Sequence, residues 1–348
     1  MKNILLTITT VLCLNISQAQ ELESILLAAD DAGILTENYL NPAMKGLMYS
    51  VNGGWYTTGK THKKFGFDLT ISANASLVPS SNEFFRFVQS DYTFVNLPNG
   101  ESQIPTVMSE SSAETNIDIR IPNGDGSFKV ASFSMPGGIG SDLPLNAVPA
   151  PMVQIGFGLP TKTDLKIRFI PNIAFDDDFE SGLFGIGLQH DISQYFGPIE
   201  KLPLSISVLG AFTTLKASYN INEEDLTDNV SVNNGEAEFK LNAYTVQAIA
   251  SLDFKLITFY GSVGYNGGKT TAKMKGDYTL TYDVEDSNGN QIGTVNENIT
   301  DPLNLGFNVN GMRATIGTRL NLAFFKIFAD YSLQEYNTIS AGIALSFR

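Results

Sequence analysis

ISAGIALSFR, residues 339–348, alternates without a break. Ile339, Ala341, Ile343, Leu345 and Phe347 fall on one face of a strand; Ser340, Gly342, Ala344, Ser346 and Arg348 fall on the other. Period-2 alternation of this kind marks a β-strand with one apolar face and one polar or small face. In a soluble sheet such a strand would leave a sticky, unpaired edge. The rest of the sequence has to say where that edge goes.

The same alternation recurs upstream. Phe65, Phe67, Leu69, Ile71 and Ala73 alternate with Gly66, Asp68, Thr70 and Ser72. Met312, Ala314, Ile316 and Leu320 alternate with Arg313, Thr315 and Arg319, and Phe325, Ile327, Ala329 and Tyr331 with Lys326, Phe328 and Asp330. Strands are expected over 46–57, 65–78, 84–95, 113–121, 127–134, 149–160, 164–175, 183–195, 203–218, 238–254, 256–268, 306–323, 325–334 and 339–348. Short joins (78–83, 122–126, 160–164, near Lys255 and at Phe324–Phe325) alternate with long polar ones (96–112, 134–149, 175–182, 220–236 and 267–305). This is the pattern of a transmembrane antiparallel β-barrel. It predicts an all-β fold of about 14 strands, or 12 if 84–95 and 127–134 do not form. A closed barrel pairs its last strand with its first, so residues 339–348 need expose no edge. Alternation alone does not say which face looks inward.

The amino terminus carries a short basic start (Lys2), an apolar run over 4–16, and small residues at Ser17 and Ala19. That reads as a signal peptide, 1–19, cut after Ala19. The chain's one cysteine, Cys13, lies inside it, so no disulfide is available afterwards. Charged residues make up 17% of the chain, below the roughly 25% of soluble domains. Glycine (31), phenylalanine (23) and tyrosine (13) are plentiful, which fits a barrel. The formal charge of −14 argues against a nucleic-acid partner. The expected location is the bacterial outer membrane.

Residues 20–45 read differently from the barrel, 46–348. Leu22, Ile25, Leu26 and Ala29 share a face at helical spacing, Gly33 could end the helix, and Asn41-Pro42 starts a turn. A moderately apolar segment of this length suits a plug in the barrel lumen.

Little points to catalysis. There are two histidines, His62 and His190, and no GxSxG, HExxH or Walker pattern. His190 and Asp191 point to opposite faces, and an interfacial histidine accounts for the first. No enzyme activity, cofactor or metal is expected. Opposite the apolar stripes, Arg120, Lys166, Arg168, Arg313 and Arg319 should enter the lumen beside Asp68, Asp118 and Asp330. Two readings stand: a paired network that stabilises a narrow barrel, or a basic site for a carboxylate headgroup. The acidic runs at 176–180 and 223–225 read as solvated loop charge or as sites for cations that bridge lipopolysaccharide. Trp55, Tyr56, Tyr195, Phe196, Phe324, Phe325 and Tyr336 fall near strand ends, as interfacial girdles require.

AADDAG (28–33), with Asp30 and Asp31, followed by NPA (41–43), with Asn41 and Pro42, resembles the amino-terminal hatch of the FadL-like family. That resemblance implies a fourteen-stranded, plugged outer-membrane transporter of long-chain fatty acids and other hydrophobic compounds. GIALSF (342–347) resembles the carboxy-terminal β-signal of outer-membrane proteins through Gly342, Leu345 and Phe347, which implies that the barrel-assembly machinery is a partner. FGIGLQHDI (184–192), LPLSISVLGAFTTL (202–215) and residues 311–347 resemble barrel proteins of Bacteroidota without assigned activity. The expected function is passive uptake of hydrophobic or amphipathic small molecules. The alternative is a structural or adhesive barrel with a sealed lumen and partner-binding outer loops. Outer-membrane lipid and lipopolysaccharide are expected partners in either case.

Overall fold

A computed structural model describes residues 28–97, 102–123, 125–176, 178–197, 202–222, 226 and 229–347. The expected signal peptide, residues 20–27 and the acidic run 223–225 lie outside the described residues.

Among the described residues one α-helix, α1 (Ala29–Val51), precedes sixteen strands: β1 (Phe67–Leu77), β2 (Phe84–Arg86), β3 (Val95–Asn96), β4 (Gln103–Pro105), β5 (Thr115–Pro122), β6 (Phe128–Met135), β7 (Ala147–Leu159), β8 (Thr163–Asp176), β9 (Phe179–Asp191), β10 (Leu204–Ile221), β11 (Val230–Asp253), β12 (Ile257–Glu285), β13 (Gln291–Thr300), β14 (Leu303–Leu322), β15 (Phe325–Leu333) and β16 (Thr338–Phe347). Fourteen of them hydrogen-bond into one sheet, the number expected, but ten close the ring. β1 pairs β7; β7 to β12 follow in chain order; β14, β15 and β16 return to β1, all antiparallel. The seam runs from Phe67↔Phe347 to Ser76↔Thr338, so the strand that ends the sequence has a partner on each side.

Four expected barrel strands lie elsewhere. Residues 46–51 are helical, and 84–95 holds only β2 and part of β3. β5 and β6, expected at 113–121 and 127–134, form a ribbon joined to the tip of β12 through Asp283↔Val130 to Glu285↔Phe128. Their alternation is real: Ile117 and Ile119 are buried. However, they are buried in a cap at the long-loop end, and periodicity does not specify which sheet position a strand takes. The span 267–305, expected as a loop, is instead the continuation of β12 and its hairpin with β13.

The structure decides inside from outside. Near the short-turn end, Ile316 (72% exposed), Val263 and Ile71 face outward, while Arg313, Thr315, Ser262 and Ser72 are buried. The apolar outer face of β11 covers 244–252, about the 9–11 residues that a tilted bilayer-spanning strand takes. At its short-turn edge, Phe67 stacks on Phe347 at 5.1 Å, Phe347 on Phe324 at 6.2 Å, and Phe65 lies 6.1 Å from Phe157. Toward the long loops the faces exchange. On β11, Glu238, Lys240 and Asn242 take over outside, while Phe239 and Leu241 are buried inside.

The helix is longer than the sequence suggested. It runs through Gly33 and keeps Pro42 in its interior, although proline removes one helical hydrogen bond. Packing overrides that cost. Leu35, Tyr39, Ala43, Leu47 and Val51 form an i, i+4 stripe, all buried in the apolar cluster of the cap and the upper strands. Asp31 in the first turn accepts backbone hydrogen bonds from Thr93 (2.9 Å), Phe94 (2.6 Å) and Val95 (3.1 Å), which fixes the helix start to the cap. Asp30 is exposed. Tyr39 donates to the Gly137 carbonyl at 3.1 Å, and burial pushes its phenol up to about 12. The helix therefore starts at the long-loop end and points its carboxyl end into the ring.

Candidate functional site

The lumen is occupied by the chain that follows α1. A helix carboxyl end leaves carbonyls without intrahelical partners and carries partial negative charge. Two arginines meet it. Arg168, fully buried on β8, donates through Nη1 to the Val51 carbonyl (2.8 Å) and through Nη2 to the Gly53 carbonyl (2.7 Å). Arg313, on β14, donates through Nη1 to the Asn52 carbonyl at 2.8 Å. Their remaining donors go to the wall: Arg168 Nε to Gln154 (3.0 Å), and Arg313 to Ser332 (2.7 Å) and Thr315 (3.1 Å). Together the two guanidiniums tie β8 and β14 to the three consecutive carbonyls of Val51, Asn52 and Gly53.

Below the clamp, 52–66 descends without regular secondary structure. Gly54 takes φ +66°, and a Cβ there would lie 2.7 Å from Asn74 Oδ1, so the turn needs glycine. Trp55 lies under Arg168, whose guanidinium sits 3.8 Å from the ring. Its indole fits because β9 offers Gly185 and Gly187; a Cβ at Gly187 would come within 3.0 Å of the ring. Tyr56 donates to Gln247 at 2.9 Å. Thr57 accepts from Arg319 at 3.0 Å, and Thr58 donates to Asp253 at 2.7 Å. His62 pairs with Asp164 through both its backbone N–H and Nδ1, each at 2.9 Å. A turn at Phe65 (φ 64°), whose N–H donates to the Gly158 carbonyl, starts β1 at the short-turn end.

Of the five expected lumenal cations, the structure brings Arg168, Arg313 and Arg319 onto this segment. Lys166 is buried on the same face of β8, one pleat toward the short turns. Arg120 does not enter the lumen; it is exposed on β5, with its guanidinium 4.1 Å from the Phe128 ring. Neither of the two sequence readings anticipated the partner found. Arg168 and Arg313 hold backbone carbonyls rather than carboxylates or an open cavity. Trp55 and Tyr56 leave the expected girdle for the lumen, and Tyr336 is buried against Tyr49 at 5.8 Å. Tyr195 and Phe196 do lie exposed at the short-turn end, where His190 contacts Thr163 (2.7 Å) and Tyr195 (3.0 Å). Three glycines in VNGGWYTTGKTH (51–62) are the sequence signal against a strand there.

The pattern of one protein family matches residues 1–347. The chain belongs to it. It is described as a family of unknown function, DUF6588. No curated protein matches this DUF6588 chain. Among solved structures it is similar to the attachment invasion locus protein Ail of Yersinia pestis, with 10% identity over 82% of this chain and 99% of that one, at a TM-score of 0.24. It is also similar to the translocator domain of the autotransporter NalP of Neisseria meningitidis, with 11% identity over 83% and 91%, at a TM-score of 0.25. The transport unit of the autotransporter AIDA-I of Escherichia coli gives 8% identity over 90% and 99%, at a TM-score of 0.22. Scores this low leave the ring of strands itself to define the fold.

Proposed function

We propose that this DUF6588 chain is a bacterial outer-membrane barrel whose lumen is closed by its own amino-terminal segment, and that it acts through the surface it presents outside. The observation that carries this reading is the fate of the lumenal arginines. Arg168 and Arg313 spend their donors on the end of α1 and on neighbouring wall residues, so the strongest candidates for a headgroup site are engaged within the chain. The apolar band on the outer face supports membrane insertion, with the long-loop end outside. Phe347 packing on Phe67 at the seam suits Gly342, Leu345 and Phe347 to recognition by the barrel-assembly machinery.

Uptake of a hydrophobic or amphipathic molecule, as the FadL-like resemblance implies, is the second reading. One observation favours it: 54–62 is held to the wall by bonds that involve side chains and not by sheet pairing, so its release would leave the ring of strands intact. The test is to purify the folded barrel and measure binding of a labelled long-chain fatty acid, with and without deletion of residues 28–53. The sealed barrel predicts no saturable binding to the intact protein. Saturable binding that the deletion alters would replace this reading with uptake.

A further inference from the structure

We propose that the outer wall just above the apolar band binds the phosphate groups of an anionic outer-leaflet lipid through Lys216, Lys240 and Lys269. The proposal rests on the membrane placement above and adds a ligand to the outer face. Register brings the three lysines together. Lys216 on β10 lies directly opposite Lys240 on β11, and Lys269 on β12 lies opposite Asn242, one pleat nearer the band. All three positions belong to the outward face that carries Phe212, Tyr244 and Tyr265 below them. Like charges placed directly opposite across two strands repel, so this pair is unfavourable without a counter-ion.

Among the described residues no carboxylate is in contact with the three lysines, although Glu238 feels the charge of Lys240. Among the described residues, Lys216, Lys240 and Lys269 form no ion pair, whereas Lys275, further out, contacts both Glu236 (3.7 Å) and Glu238. The wall is thus sorted by height. Unpaired cations lie next to the apolar band, and the carboxylates Glu180, Glu236 and Glu238 lie beyond them. That order runs against the net charge of the chain, −14. Gly182 faces Lys216 across β9–β10. On the other side Lys269 lies opposite Asn308, a neutral side chain. A cleft of about 240 Å³ opens beside Lys216, lined by Lys216 and Lys275 together with the carboxylates Glu180, Glu236 and Glu238. Lys240 is four residues from Tyr244, about 13 Å along the strand and about 9 Å in height at a 45° tilt, just above the roughly 5–8 Å that lipid headgroups occupy. A lysine stem can lie along the wall while its ammonium reaches a phosphate. The apolar band directly beneath would take the acyl chains, which favours a lipid over a free phosphate.

The experiment compares the full barrel with the K216Q/K240Q/K269Q variant and with a K63Q/K64Q control at the opposite end. Each is reconstituted in vesicles, checked for insertion, and assayed for retention of bis-phosphorylated lipid A and of its dephosphorylated form. The proposal expects equal insertion, retention of the phosphorylated lipid by wild type and control, and a roughly hundredfold weaker affinity in the triple variant, since each surface lysine near an anionic membrane contributes about a fivefold factor. Equal retention by the triple variant would overturn the site. So would displacement of the lipid by millimolar inorganic phosphate alone, which would mark a free-phosphate site. Failure of the wild type to insert at all would instead remove the membrane placement on which the site rests.

Discussion

Along β14 one strand is built in two opposite ways. From Leu303 to Asn310, Leu305, Phe307 and Val309 are buried inward, while Asn304, Asn308 and Asn310 face out. From Met312 onward, Met312, Ile316 and Leu320 face out and Arg313 and Thr315 are buried. The exchange falls at one level, Asn310 to Met312. β11 shows it one pleat nearer the long loops, between Asn242 and Tyr244, whose β12 partners are Lys269 and Gly267, whereas Asn310 and Met312 pair with Gly267 and Tyr265. The upper half is a conventional protein, with an apolar core of α1, cap and strands inside a polar wall. The lower half is reversed. Its wall is apolar outside, and its interior is held by hydrogen bonds to the descending chain. Polarity of a face is thus set by depth, which is what two different solvents along one sheet would select.

If the lower interior depends on its clamp, removing the clamp should have the largest effect on it. Arg168→Ala with Arg313→Ala strips donors from three buried carbonyls. At about 1–3 kcal/mol for each unsatisfied group, the seated lumenal segment should lose roughly 3–9 kcal/mol. The wall need not unfold. Trp55 is the chain's one tryptophan, so its emission should shift to the red and the barrel should begin to conduct in a planar bilayer. Unchanged emission and conductance would show that the lower half does not depend on the arginines.

The upper half should instead respond to core truncation. Phe307→Ala should cost about 3–5 kcal/mol in urea unfolding from vesicles. Ile316→Ala, nine residues along the same strand, should cost far less, because its side chain faces the band's exterior. Charge gives the reverse contrast. Ala248→Arg, in the middle of the outward band of β11, should cost about 2–4 kcal/mol. Ser231→Arg, exposed on the upper part of the same strand, should stay within about 0.5 kcal/mol. Equal costs at the two heights would abolish the distinction between the halves.

The wall was legible because alternation is local. The spans at 65–78, 149–160 and 325–334 appear within two residues of expectation, and the seam follows from closure. The boundary between halves was also written there, in the outward positions Glu238, Lys240, Asn242, Tyr244, Val246, but only strand register shows that neighbouring strands change together. Ring membership was not legible. Ile117 and Ile119 alternate as well as any barrel strand, yet they meet a cap whose existence depends on contacts distant in sequence. The helix was misjudged because Gly33 and Pro42 are local signals of termination, overridden by burial of the 35–51 stripe. The arginine partners could not be foreseen from composition, since backbone carbonyls carry no residue signature.

The smallest effect separates rim from lumen as the anchor of α1. Glu335, in the β15–β16 turn, accepts from Lys45 Nζ at 2.9 Å and from the Tyr49 hydroxyl at 2.8 Å. Both partners come from α1, so this contact also holds the helix in the ring. Glu335 is half exposed, and ion pairs in that setting are worth about 0–1 kcal/mol and weaken with salt. Glu335→Gln should therefore move the urea midpoint of Trp55 exposure only slightly, and the difference from wild type should shrink in 1 M salt as the Debye length falls to about 3 Å. A shift comparable to that of the arginine pair, persisting in salt, would reverse the ranking: the helix would be hung from the rim, and the arginines would merely line its seat.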